Sequence, residues 1–207
     1  MKKICLLCTL GVLLAAIPNF VDAQGNKESA KLTKEGAEAL KNKDYDKAVD
    51  LFRKASELDR RNVKSLSAAL QQRAYALTQQ QQYQKAIADY NAALDVTPDD
   101  QGIFERRGYA EMMLGDYDHA LADYNELIKR KPNEAHYLLY RSYIYEVKGD
   151  IANGIADCDK VLQIQHDNQE ATARKQRLLQ VQQAQPQPTS PGGIPNPQSS
   201  AQPPKKP

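Results

Sequence analysis

The chain has 207 residues, with 28 Lys+Arg against 26 Asp+Glu and a formal net charge of +2. That balance excludes the strongly basic surface that drives non-specific nucleic-acid binding. With 11 Tyr, 3 Phe and no Trp, most of its rings carry a polar tip, which suits surfaces that are sometimes covered and sometimes wet.

Residues 1–23 read as a secretory signal peptide. Lys2 and Lys3 form a positive start, Ile4 to Ile17 is an apolar run, and Pro18 ends it. Val21-Asp22-Ala23 then has a small residue at each end, which predicts cleavage after Ala23. An apolar run of about 14 residues falls short of the roughly 20 that cross a bilayer, so a retained anchor is the weaker reading. Cys5 and Cys8 lie at the front of the run, which argues against a lipoprotein. Cleavage removes Lys2, Lys3 and Asp22, leaving a net charge of +1, and leaves Cys158 as the one cysteine. No intramolecular disulfide can then form, and stability must come from packing. The expected destination is the periplasm, with the extracellular space as the alternative.

The next segments repeat. Leu40-Lys41-Asn42-Lys43-Asp44-Tyr45 aligns with Gln81-Gln82-Tyr83, Leu114-Gly115-Asp116-Tyr117 and Val147-Lys148-Gly149-Asp150-Ile151, at intervals of 38, 34 and 34. Apolar residues recur at helical spacing, as in Ala48, Phe52, Ala55 and in Ala86, Tyr90, Ala93, Leu94. Small residues stand at Gly36, Ala74, Gly108 and Ser142, and again at Ala48, Ala86, Ala120 and Gly154. Phe52, Tyr90, Tyr124 and Cys158 follow one turn after the second set. Gly115-Asp116 and Gly149-Asp150 mark turns, and Pro98 and Pro132 stop a helix before the next begins. In this pattern the chain resembles the tetratricopeptide-repeat (TPR) family over about residues 29 to 168.

That resemblance implies an all-α, right-handed solenoid of four helix-turn-helix units, about 29–62, 67–100, 101–134 and 135–168. One helix pair cannot bury its apolar face alone, so pairs stack with contacts only between neighbours. The 38-residue interval predicts one more turn near Asn62–Leu66 and an offset between units one and two. Gly154 and Cys158, where bulk is usual, predict a less stable second helix in unit four. Asn168 is placed to cap a terminal helix over about 168–183, completing a domain of 24–183. From 184 to 207 the composition turns to Pro and Gln, and a disordered tail is expected there, inert or acting as a tether or ligand.

Two ladders run along the units. Arg73, Arg107 and Arg141 recur every 34 residues, each with an Asp 16 residues on: Asp89, Asp123 and Asp157. Antiparallel helices would bring each pair together as a structural fork. The alternative turns the arginines into the groove to hold an acidic peptide. Tyr75, Tyr109 and Tyr143 form the second ladder. The resemblance implies that first helices line a concave groove, with Gln71, Gln79, Glu105, Met112, Met113, His136, Leu139 and Tyr140 near these rings. A tyrosine floor with adaptable methionines suits a peptide.

No catalytic set is legible. His119, His136 and His166 are scattered without metal-ligand spacing, no phosphate-binding loop is present, and Cys158 reads as a buried, inert thiol. The expectation is a non-enzymatic adaptor with no cofactor, metal, nucleic acid or small-molecule substrate, which holds a protein segment in its groove within a cell-envelope complex. The alternatives are a structural subunit packing through its convex face or array ends, and a thiol enzyme using Cys158.

Overall fold

The computed structural model describes residues 10–184, with side chains from residue 24 onward. Residues 1–9, part of the expected signal peptide, and residues 185–207, where a disordered tail is expected, lie outside the described residues. Nine α-helices and no strand occur within the described range. They are α1 (Leu10–Lys41), α2 (Tyr45–Leu58), α3 (Val63–Gln79), α4 (Tyr83–Val96), α5 (Gln101–Leu114), α6 (Tyr117–Arg130), α7 (Ala135–Lys148), α8 (Ile151–Ile164) and α9 (Gln169–Ala184). None is long and apolar enough to cross a membrane.

Helices pair as α1–α2, α3–α4, α5–α6 and α7–α8, and each pair packs on the next. First helices also approach first helices, α3 against α5 and α7 against α9, with no comparable approach between second helices. First helices therefore lie along one side of the stack. The reason two helices come so close is local. A methyl group on Gly108 would sit 3.1 Å from the Asp123 Cβ and 3.3 Å from the Tyr124 ring, and one on Gly36 would sit 3.1 Å from Phe52. Each small residue of a first helix thus makes room for the aromatic of its partner. Tyr90 and Tyr124 are fully buried, each worth about 2–3 kcal/mol of burial.

The extra residues between units one and two have a definite form. A single 3-10 turn at Arg60–Asn62 precedes α3, which has 17 residues where α5 and α7 have 14. The second helix of unit four is no shorter than its counterparts, with 14 residues in α8 as in α4 and α6. Leu178 of α9 fills the space that Gly154 leaves, and a methyl there would lie 3.0 Å from the Leu178 Cδ1. Ser142 donates to the Gly154 carbonyl at 2.9 Å and touches the Cys158 sulfur at 3.1 Å, so polar contacts replace the missing bulk.

Caps set the helix boundaries. Asp44, Asp116 and Asp150 each accept from the backbone N–H three residues on, at the starts of α2, α6 and α8. Asn168 does the same for α9, accepting from Ala171 at 2.9 Å. Its apolar face is narrower than Leu178, Leu179 and Val181 suggest, since Leu178 and Ala171 are buried and Val181 is exposed. Before α6 and α8 the chain turns through Gly115 and Gly149 at φ +87° and +76°, but Lys43 and Gln81 hold the same place at φ 59° and 58°. A side chain costs ~1–2 kcal/mol in that conformation, partly offset by glycine's larger freedom when unfolded. Gln81→Gly is therefore expected to raise the unfolding free energy by ~0.5–1 kcal/mol in a denaturant titration. No gain would show that the turn carries no strain.

Candidate functional site

The arginine ladder is a set of struts. Arg107 donates through Nε to Asp123 at 2.9 Å and through Nη2 at 2.6 Å, a bidentate fork between α5 and α6. Arg141 grips Asp157 at 2.8 and 2.6 Å, and Arg73 grips Asp89 at 2.7 and 2.6 Å. The remaining Nη1 reaches the preceding unit. Arg107 binds Asn91 at 2.6 Å and Arg141 binds Asn125 at 2.8 Å. Sequence reasoning paired the acids and missed these amides, though Asn91 and Asn125 also recur at 34. Arg53 stands at the equivalent place in unit one and would repel Arg73, which turns to Asp46 at 2.8 Å instead. In α9 the strut continues in altered form, with Lys175 against Asp159 at 2.5 Å. The bond to the Asp123 carboxylate raises Arg107 above its ordinary pKa, while burial pushes Asp123 up against the pull of Arg107.

Glu111 breaks the pattern at the position of Leu77. It is buried, its Oε2 has no partner among the described residues, and its nearest cation is Arg107 at 3.6 Å. Burial, then the Asp123 charge, pushes its pKa up to about 7.

The tyrosines separate into two groups. A cleft of about 240 Å³ is lined by Tyr75, Thr78 and Gln79 of α3, Glu105, Arg106 and Tyr109 of α5, and Tyr140 of α7, with Tyr90 and Tyr124 at its base. Tyr75 is 55% exposed, whereas Tyr124 is buried with a hydroxyl that has no partner among the described residues. The Tyr124 ring stacks on Tyr140 at 5.2 Å, and Tyr109 meets Tyr140 edge-on at 6.3 Å. Burial, then nearby Tyr140, raises the Tyr124 pKa, so the phenol stays protonated as a donor. Thus the cleft gathers Tyr75, Tyr109, Tyr140, Gln79 and Glu105 from the sequence set. Tyr90, Tyr124, Thr78 and Arg106 were not foreseen there. The first two read as packing residues because they also fill the core.

Six candidates lie elsewhere. Met112 is buried in the core of units three and four, and Met113 is exposed outside the cleft. Leu139 is half-buried against that core. Tyr143 lies beneath the Arg174 guanidinium of α9 at 5.3 Å, because the terminal helix occupies the place of a further unit. Gln71 is tied to the turn before α5, donating to Asp100 at 3.2 Å and accepting from Arg106 at 3.0 Å. His136 stands beside the cleft between Glu105 at 3.3 Å and Glu134 at 3.1 Å. Cys158 is buried, and burial raises its thiol pKa, the opposite of an activated nucleophile.

Comparison with known proteins agrees with this geometry. The tetratricopeptide-repeat family model matches residues 72–135 and 105–169. A TPR protein of Parabacteroides merdae superposes with a TM-score of 0.61 at 22% identity, covering 76% of this chain and 61% of its own. The fold is a TPR solenoid. The chain spans about three fifths of the Parabacteroides protein. YrrB, described as a TPR protein with an unusual peptide-binding site, matches with a TM-score of 0.61 at 15% identity over 77% of this chain and 81% of its own. The first TPR domain of Spaghetti (RPAP3), bound to the HSP90 peptide SRMEEVD, matches with a TM-score of 0.53 at 19% identity over 57% and 94%. A second family model, that of the soluble NSF attachment protein (SNAP), matches residues 7–100. No curated protein matches the sequence.

Two outcomes test the strut. Asp123→Ala leaves Arg107 short of its fork and is expected to lower stability by about 1–3 kcal/mol in urea titration; an unchanged midpoint would mean that water serves Arg107 equally well. Glu111 titrates higher when folded than its ordinary 4.5, so the folded state holds that proton more tightly. Its stabilisation is full below 4.5 and is lost as pH rises through about 7. Glu111→Gln should flatten that decline and be the more stable form at pH 8; an identical pH profile would refute the assignment.

Proposed function

We propose that this TPR array is an exported, non-enzymatic adaptor that holds an extended segment of a protein partner in the cleft between α3, α5 and α7. The observation that carries the reading is the cleft itself. Exposed tyrosine rings stand on the side of the stack where first helices meet, above a buried phenol with no partner among the described residues. Rings with few rotatable bonds supply contact area at small entropic cost. The relatives of this fold seen with peptides support the class of ligand and leave its identity to experiment. Cys158, the free thiol among the described residues, is buried, which does not suit the nucleophile of a thiol enzyme.

Export rests on the composition of residues 1–23, and service in a cell-envelope complex rests on export. The proposed cut after Ala23 lies ahead of Ser29, the first buried residue among those whose side chains are described.

One preparation tests both parts. Protein recovered from the native envelope is cross-linked, captured with its partners and measured by intact mass, beside a Tyr75→Ala/Tyr109→Ala/Tyr140→Ala variant checked for helix content. A mass beginning at Gln24 and at least tenfold less partner on the variant are expected. A mass retaining residues 1–23 would overturn export, and equal capture would move binding to another face.

A further inference from the structure

Three features outside the strut ladder offer themselves: the buried Glu111 group, the shallow cleft beside Gln71, and the occupant of the tyrosine cleft. The last is carried furthest, and it rests on the groove reading above. We infer that the tyrosine cleft is the seat of the chain's own proline-rich segment, residues 185–207, which any outside partner must displace.

The chemistry of the two surfaces is complementary. Eight of the 23 residues from Gln185 to Pro207 are Pro and lack an N–H, so carbonyl acceptors outnumber backbone donors along the segment. The cleft offers the opposite surplus: the exposed phenols of Tyr75 and Tyr109 are donors, as is the Arg106 guanidinium beyond its bond to Gln71. Tyrosine faces pack well on pyrrolidine rings, and an extended proline-rich strand loses little chain entropy when it binds. The charges also agree. Residues 185–207 contain Lys205 and Lys206 and no Asp or Glu, while Glu105 and Glu134 flank the cleft around His136.

Reach permits the contact. The helices α5, α7 and α9 run the same way, each separated from the next by one antiparallel helix, so Ala184 ends on the side of the stack where α5 ends. Two steps between first helices at ~10 Å each place the cleft roughly 20–30 Å from Ala184. Twenty-three residues in polyproline geometry extend ~70 Å at ~3.1 Å per residue. A direct link therefore uses under half the segment, and the rest can lie along the cleft with Lys205 and Lys206 at its acidic rim.

The test uses the full chain with p-benzoylphenylalanine in place of Gln79, an exposed cleft residue, and in a second protein in place of exposed Gln163 on α8. After irradiation, peptides from 185–207 should be joined to position 79 within the monomer band, at least tenfold more than to position 163 and independently of protein concentration. Tyr109→Ala/Tyr140→Ala should reduce that yield severalfold while helix content stays constant. Absence of the 185–207 product, its confinement to the dimer band, or equal yield from position 163 would overturn the seat. If the product is absent while partner capture still depends on the cleft tyrosines, the tail proposal alone fails; if both are lost, the groove reading fails with it.

Discussion

Each of Arg73, Arg107 and Arg141 bears a charge that cannot be shed, placed where two helices of one unit meet a helix of the unit before. A half-buried guanidinium is tolerable only when its donors are met, and here they are met in one geometry. Two go to an aspartate of the same unit and one to a side chain of the preceding unit. Apolar burial holds the helices together without direction; the forks add direction, fixing the rotation of each pair and its offset from the last. The cleft depends on that offset, because it forms only when α3, α5 and α7 present Tyr75, Tyr109 and Tyr140 toward one space.

The polar edge of the array is handled in two ways. At its far end α9 keeps the strut with Lys175 and Asp159 and adds Arg174, which is buried between Glu146 at 3.1 Å and Glu170 at 2.8 Å. A buried cation held by two carboxylates closes the stack where apolar cover is thin, since Leu178 and Ala171 are the main apolar contacts that α9 supplies. At the near end Arg53 forbids the amide strut, and Arg73 reaches Asp46 instead.

The repeats were legible because packing sets them. A small residue, an aromatic one turn after the second small residue, and a turn must recur wherever the same two helices meet. The Arg–Asp spacing was legible for the same reason. Contacts that depend on which way a side chain turns were not. Met112 and Met113 are adjacent in sequence, yet one is core and the other exposed, a difference of one step around α5. Tyr143 shares the spacing of Tyr75 and Tyr109 but meets Arg174, because the helix that follows it is a terminus and not another unit. Tyr90 and Tyr124 carried a packing signature strong enough to hide that they also floor the cleft. Nothing in the local sequence marks Glu111 as buried, since a carboxylate there reads as solvent-facing.

The amide strut also bears on how such a chain can grow. Asn91 and Asn125 each look forward to an arginine 16 residues on, so the 34-residue segment that starts at Pro98 and stops before Pro132 carries one socket, Asn125, and one plug, Arg107. Copying that segment in tandem leaves every guanidinium with a partner and every turn intact. The junction between units one and two is built differently, because Arg53 supplies no amide and Arg73 is met by Asp46 instead. Tandem copying thus preserves the amide strut only where an Asn stands at the socket position.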